Sequence, residues 1–145
     1  MNTRKKIIAI DFDGTLVEHK YPKIGNEIPF AVDTVKMLHR EGYRLILWTV
    51  REGPLLDEAV DWCTKRGLSF YAINRNYPEE SIQDEAYSRK LKADLFIDDR
   101  NIGGLPSWGM IYKMISQGQS LQEIILQSLG ESKRLPKKKW FEFWK

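Results

Sequence analysis

Four short apolar runs recur along the chain: Ile7-Ile8-Ala9-Ile10, Leu45-Ile46-Leu47-Trp48, Phe70-Tyr71-Ala72-Ile73 and Leu95-Phe96-Ile97. None alternates with polar residues as a half-wet strand would, so they read as strands buried on both faces. Such strands belong to parallel sheets covered by helices, and the intervening segments are long enough for helical crossovers. The first crossover helix is predicted from near Pro29 to Gly42, with Ala31, Val35 and Leu38 on one face. A second runs from Pro54 to Arg66 with Ala59 or Val60 and Cys63 in its apolar stripe, and Gly67 ends it. Ser120 and Glu123 form a capping box ahead of Leu121, Ile124, Ile125 and Leu129, which predicts a last helix ending at Gly130. The stretch from Tyr77 to Arg89 reads equally as a short helix or a loop.

This pattern is that of a single α/β, Rossmann-like domain with a central parallel sheet. At 145 residues and 42% hydrophobic content the chain can bury one core and has no room for two ordinary domains. We expect a domain over residues 1–130, with its folded part at roughly 4–130, followed by a basic, aromatic tail over 131–145. That tail carries six basic side chains against Glu131 and Glu142, which leaves 17 basic and 18 acidic groups in the rest. The body is therefore near neutral and offers no broad field for steering a polyanion, whereas the tail does. Its lysines interleave with Trp140, Phe141, Phe143 and Trp144, a composition suited to nucleic acid, to a membrane surface, to a partner, or to packing back on the domain.

One cysteine, Cys63, excludes an internal disulfide framework and reads as core filler. Arg4, Lys5 and Lys6 precede an apolar run that stops at Asp11, too short for a signal-peptide core, and no stretch is long enough to span a bilayer. A soluble, cytoplasmic protein is expected. His19 and His39 lack metal-ligand spacing with each other.

Each apolar run ends in a polar residue: Asp11, Thr49, Asn74 and Asp98. In an open parallel sheet these carboxyl ends share the edge where ligands bind. Asp11 and Asp13 stand two apart, so in extended geometry both point to one side, and Asp98-Asp99 adds a second acidic pair. Four carboxylates at one edge repel unless a cation or basic side chain compensates, and Mg²⁺ suits oxygen ligands that leave positions for water and phosphate. Gly14 allows a turn whose amide N–H groups are free for phosphate oxygens. The Thr49 hydroxyl can donate to the same phosphate and Lys90 can supply a compact positive charge. Arg51 stands two residues after Thr49, within reach of a substrate, and Arg100 is placed to neutralise the acidic pair.

In order and residue type these motifs resemble those of the haloacid dehalogenase superfamily: Asp11-Phe12-Asp13-Gly14-Thr15, then Thr49, Lys90 and Asp98-Asp99. The resemblance covers residues 6 to 104. It implies a phosphatase in which Asp11 is the nucleophile and Asp13 the general acid and base, with Thr49 and Lys90 or Lys92 holding the phosphoryl group. It also implies Mg²⁺ held by Asp11, the Asp13 backbone carbonyl, and Asp99 or Asp98, with Asp99 preferred. Only 38 positions separate Asp11 from Thr49 and 41 separate Thr49 from Lys90, so no cap domain fits. A capless member implies a large phosphorylated substrate or a lid from a neighbouring subunit in a homo-oligomer, and the Val17–Ile28 loop is the local candidate for a flap. The alternative is a catalytically idle module of this fold that holds a partner or nucleic acid through its acidic edge or tail. A receiver domain is excluded by motif order, because no aspartate directly ends the second or third run.

Overall fold

The computed structural model of the chain describes residues 4–130. The four apolar runs form strands β1 (Ile7–Ile10), β2 (Arg44–Leu47), β3 (Ala72–Ile73) and β4 (Leu95–Ile97). They build one all-parallel sheet in the order β3-β2-β1-β4. In register, Ile10 stands beside Leu47 on one side and Ile97 on the other. The two central strands are the buried ones: Ile8, Ile10 and Leu47 are inaccessible to solvent, as continuous apolar runs without alternation require. One sheet face gathers Ala9, Ile46 and Ala72 with Leu91, and Trp48 and Phe96 pack at its margin. A four-stranded parallel sheet with helices, and no cap domain inserted among the described residues, is the α/β Rossmann-like class the pattern predicts.

Helix α1 (Ala31–Arg40) buries the predicted stripe of Ala31, Val35 and Leu38, and Val32 beside it, and stops short of Gly42. Helix α2 (Gly53–Lys65) begins with Pro54 in its first turn, buries Ala59 and Cys63, and stops before Gly67. Trp62 of this helix meets Phe12 edge to face at 5.6 Å, which seats α2 beside the loop following β1. Burial pushes the Cys63 thiol up to about 12, so it is core filler and not a nucleophile.

Between β3 and β4, residues 77–89 form successive turns closed by Glu80 N–H to Tyr77, Asp84 N–H to Ser81 and Tyr87 N–H to Asp84. Side chains compete with a helix here: Glu80 accepts from the Asn76 amide at 2.8 Å and Asp84 from the Ser81 amide at 2.9 Å. The open choice between helix and loop is thereby settled as loop.

The chain divides into a compact unit ending at Leu105 and a second beginning at Pro106. The second holds α3 (Trp108–Gln117), an element not predicted from the sequence, and α4 (Leu121–Ser128), which are in contact with each other. Ser107 caps α3 by accepting from the Met110 amide at 3.3 Å. Ser120 and Glu123 form the predicted capping box on α4, with reciprocal bonds of 3.1 and 3.0 Å. The tail from residue 131 onward lies outside the described residues.

Candidate metal and phosphate site

The strand order places its reversal between β1 and β4, because β2 and β3 extend from one side of β1 and β4 joins the other. Crevices at such a reversal, beyond the carboxyl ends of the strands, are where open α/β sheets bind ligands. Asp11 leaves β1 at this point with its amide bonded to the Ile97 carbonyl at 3.0 Å, and Asp98 and Asp99 leave β4 beside it. Carboxylate oxygens of Asp11, Asp98 and Asp99 lie within 4.8 Å of one another.

Crowding shows in the electrostatics. Burial first, then the charge of Asp98, raises Asp11 to about 7 from an ordinary 3.8, against the lowering effect of the Thr15 hydroxyl. Thr15, fully buried, donates to Asp11 Oδ2 at 2.9 Å and accepts from the Asp99 amide at 3.1 Å, so one hydroxyl joins both strand ends. Thr15 belongs to the quoted first motif, but its bridging role is not readable from spacing, since it depends on Asp99 arriving 84 positions later. A close set of oxygen donors, with Asp11 raised by burial and by its neighbour Asp98, fits a hard divalent cation.

Gly14 has φ of +86°, and a Cβ there would collide with the Asp99 carboxylate. Glycine is thus required for conformation and for close approach together. Its amide is not free for phosphate as expected, because it donates to the Val17 carbonyl at 2.7 Å. The turn closes on itself: Phe12 O also accepts from the Thr15, Leu16 and Val17 amides.

The turn also corrects the expectation that Asp13 adds a fourth carboxylate to the cluster. Instead of continuing extended, the chain folds back after Asp11, and the Asp13 carboxylate is held by Arg51 through Nε at 2.7 Å and Nη2 at 2.8 Å. Arg51 is 1% exposed, so it is not the substrate-reaching side chain that its position after Thr49 suggests.

Asp11, Asp13, Thr49 and Asp98 border one cavity of about 430 Å³, shared with Tyr21 and Trp48. Thr49 is fixed by its neighbours: its amide donates to Asn74 Oδ1 at 2.8 Å, and its hydroxyl oxygen accepts from the Arg51 amide at 3.1 Å. Its hydroxyl hydrogen remains to donate into the cavity. Arg100 also borders the cavity, but it is its amide, at 2.9 Å, that serves Asp98. Lys90 and Lys92 do not border it. Both are exposed, and Lys90 Nζ lies 5.7 Å over the Phe96 ring. The Val17–Ile28 loop does reach the site, through His19 and Tyr21, and is closed at its base by Glu18 N–H to Asn26 O at 2.8 Å and Ile28 N–H to Leu16 O at 2.9 Å.

Fold and site together define a capless parallel α/β protein with a carboxylate cluster at its topological switch point. Over 83% of its length the chain is similar to a solved conserved protein from Bacteroides thetaiotaomicron, at 62% identity, covering 97% of that chain with a TM-score of 0.80. The chain belongs to the same family as that protein. No family model matches the chain, and no curated protein does.

Proposed function

We propose that the chain is a magnesium-dependent phosphatase acting on a phosphate monoester, as its resemblance to the haloacid dehalogenase superfamily implies. The observation that carries this reading is the convergence of Asp11, Asp98 and Asp99 at the strand reversal, with Asp11 and Asp98 bordering a cavity that also presents Thr49 and Asp13. Asp11, Asp99 and Asp98 would hold Mg²⁺, together with the Asp13 backbone carbonyl. Bound there, the ion supplies charge neutralisation for both the carboxylates and the incoming phosphate.

In this reading an Asp11 oxygen attacks phosphorus as the bond from phosphorus to the leaving oxygen breaks, and Asp13 gives its proton to that oxygen. Water then attacks the aspartyl-phosphate and passes a proton to Asp13, which releases inorganic phosphate and regenerates Asp11. Thr49 donates to a phosphoryl oxygen throughout. The substrate is a phosphorylated small molecule or macromolecule.

Asp11→Asn tests this. It should remove Mg²⁺-dependent release of phosphate, a loss of at least ~10³-fold, while the protein stays folded. A fully active variant would refute the reading.

A second reading draws support from Lys90 and Lys92 lying outside the cavity and from the Arg51 grip on Asp13. It is that of an idle module that binds Mg²⁺ and a partner without turnover. Magnesium binding by calorimetry combined with no hydrolysis of sugar phosphates, nucleotides, phosphopeptides or oligonucleotide ends would favour it.

A further inference from the structure

Arg51 is the most completely engaged charged side chain in the described protein. Its Nε donates to Asp13 Oδ2 at 2.7 Å, and Nη2 donates to Asp13 Oδ1 at 2.8 Å and to Lys23 O at 3.1 Å. Nη1 donates to Pro22 O at 3.1 Å and to Leu55 O at 3.4 Å. These are all five donors a guanidinium has. The plane is also flanked by rings, with its central carbon 5.3 Å from the Phe12 ring and 5.2 Å from the Tyr21 ring. With no donor left and almost no exposed surface, Arg51 has nothing to offer a ligand directly.

What it does is connect three pieces of chain: the turn after β1 through Asp13, the start of α2 through Leu55, and the middle of the Val17–Ile28 loop through Pro22 and Lys23. The same loop presents His19 and Tyr21 to the cavity, and the Tyr21 ring lies over the guanidinium. A ligand that presses on the loop therefore presses on the group that sets the plane of the Asp13 carboxylate. Two parallel N–H bonds fix that plane in a way that an ammonium cannot.

We propose that Arg51 is a positioning residue that couples the seating of the Val17–Ile28 loop to the orientation of Asp13, and hence to proton transfer onto the leaving oxygen. This rests on the reading of Asp13 as the acid and base. The loop is then a part of the proton-transfer apparatus and not only a wall of the cavity.

The test compares the wild type with Arg51→Lys and Tyr21→Ala, in Mg²⁺, on a nitrophenyl phosphate and on an alkyl phosphate. A nitrophenolate leaves almost without a proton, whereas an alkoxide needs one. General acid catalysis contributes ~10²–10⁴-fold, and kcat/KM reports the transfer to Asp11 without the later hydrolysis common to both esters, so Arg51→Lys should lower kcat/KM on the alkyl ester by ~10²-fold or more and on the nitrophenyl ester by roughly 10-fold or less. Tyr21→Ala, at a half-exposed side chain, should show the same inequality on a smaller scale, and it decides the matter if Arg51→Lys does not fold. Hydrogen exchange at the Glu18 and Ile28 amides, which close the loop, should quicken in both variants.

Equal losses on the two esters, or loop exchange identical to the wild type, would overturn the assignment of Arg51 and leave the phosphatase reading standing. A wild type inert on both esters would instead overturn the acid and base reading of Asp13, and this assignment with it.

Discussion

At the scale of single residues, Asp11 carries opposed demands. Its carboxyl is raised to about 7 by burial and by Asp98. A group whose pKa is higher folded than unfolded holds its proton more tightly in the folded state, so its stabilising contribution is complete below about 4 and is lost as pH climbs through about 7. Metal-free protein should thus melt at progressively lower temperature between pH 4 and 7, and Mg²⁺ should reverse the loss. Asp11→Asn removes the titrating group, so its metal-free melting curve should be flatter across that window and several degrees higher at pH 7. Thermal melts at a series of pH values, with and without Mg²⁺, check both statements. Gly14 makes the complementary case. A methyl group there must displace the Asp99 carboxylate as well as strain a φ of +86°. Gly14→Ala should cost about 1 kcal/mol or more in a denaturant titration and weaken Mg²⁺ binding by calorimetry at least ~10-fold. Asp11, Asp98 and Asp99 were legible because residue type and position at a strand end are both written in the sequence. The Asp13–Arg51 pair was not, since it exists only once the turn after β1 folds back and the Val17–Ile28 loop closes over the guanidinium. Lys90 shows the limit of motif order. Motif order assigned it to the phosphate, but order says nothing about reach, and its amine lies over Phe96.

Elements repeat this division between local and non-local information. The four strands read correctly because unbroken apolar runs have few other places to go than the middle of a covered sheet, yet β3 is only Ala72–Ile73, with the Tyr71 amide ahead of it donating to Leu45 O at 2.8 Å. The capping box on α4 also read correctly, because its chemistry spans just four residues. Ser120→Ala should remove the bond to the Glu123 amide and cost about 1 kcal/mol, seen as lost helicity in the circular dichroism of the second unit without a change in Mg²⁺ binding. Helix α3 went unread although Ser107 caps it and Gly118 follows its last residue. Trp108, Met110, Ile111, Tyr112, Met114 and Ile115 spread apolar character around much of its circumference, so no single stripe marked it. The turns over residues 77–89 were undecidable for a related reason, as their acidic side chains compete for backbone amides that a helix would also use.

For the whole molecule, every residue of the candidate site lies between Asp11 and Arg100, within the unit that ends at Leu105, while the excess positive charge lies beyond Gly130. The proposed chemistry and the attraction for polyanions therefore fall on different stretches of the sequence. The body, with 17 basic and 18 acidic side chains, presents no net field to a nucleic acid or an anionic surface. Among the described residues no helix is long and apolar enough to cross a membrane. A chain ending at Gly130 should consequently keep Mg²⁺-dependent hydrolysis of a small phosphate ester unchanged and lose salt-sensitive retention on a heparin column. If the tail also delivers a polyanionic substrate to the site, kcat/KM on an oligonucleotide phosphate should fall in the truncated chain and approach its value as salt is raised on the full chain, because attraction by lysines is screened over a Debye length of about 8 Å at physiological salt. Equal kcat/KM for the two chains at low salt would show that the tail takes no part in substrate capture.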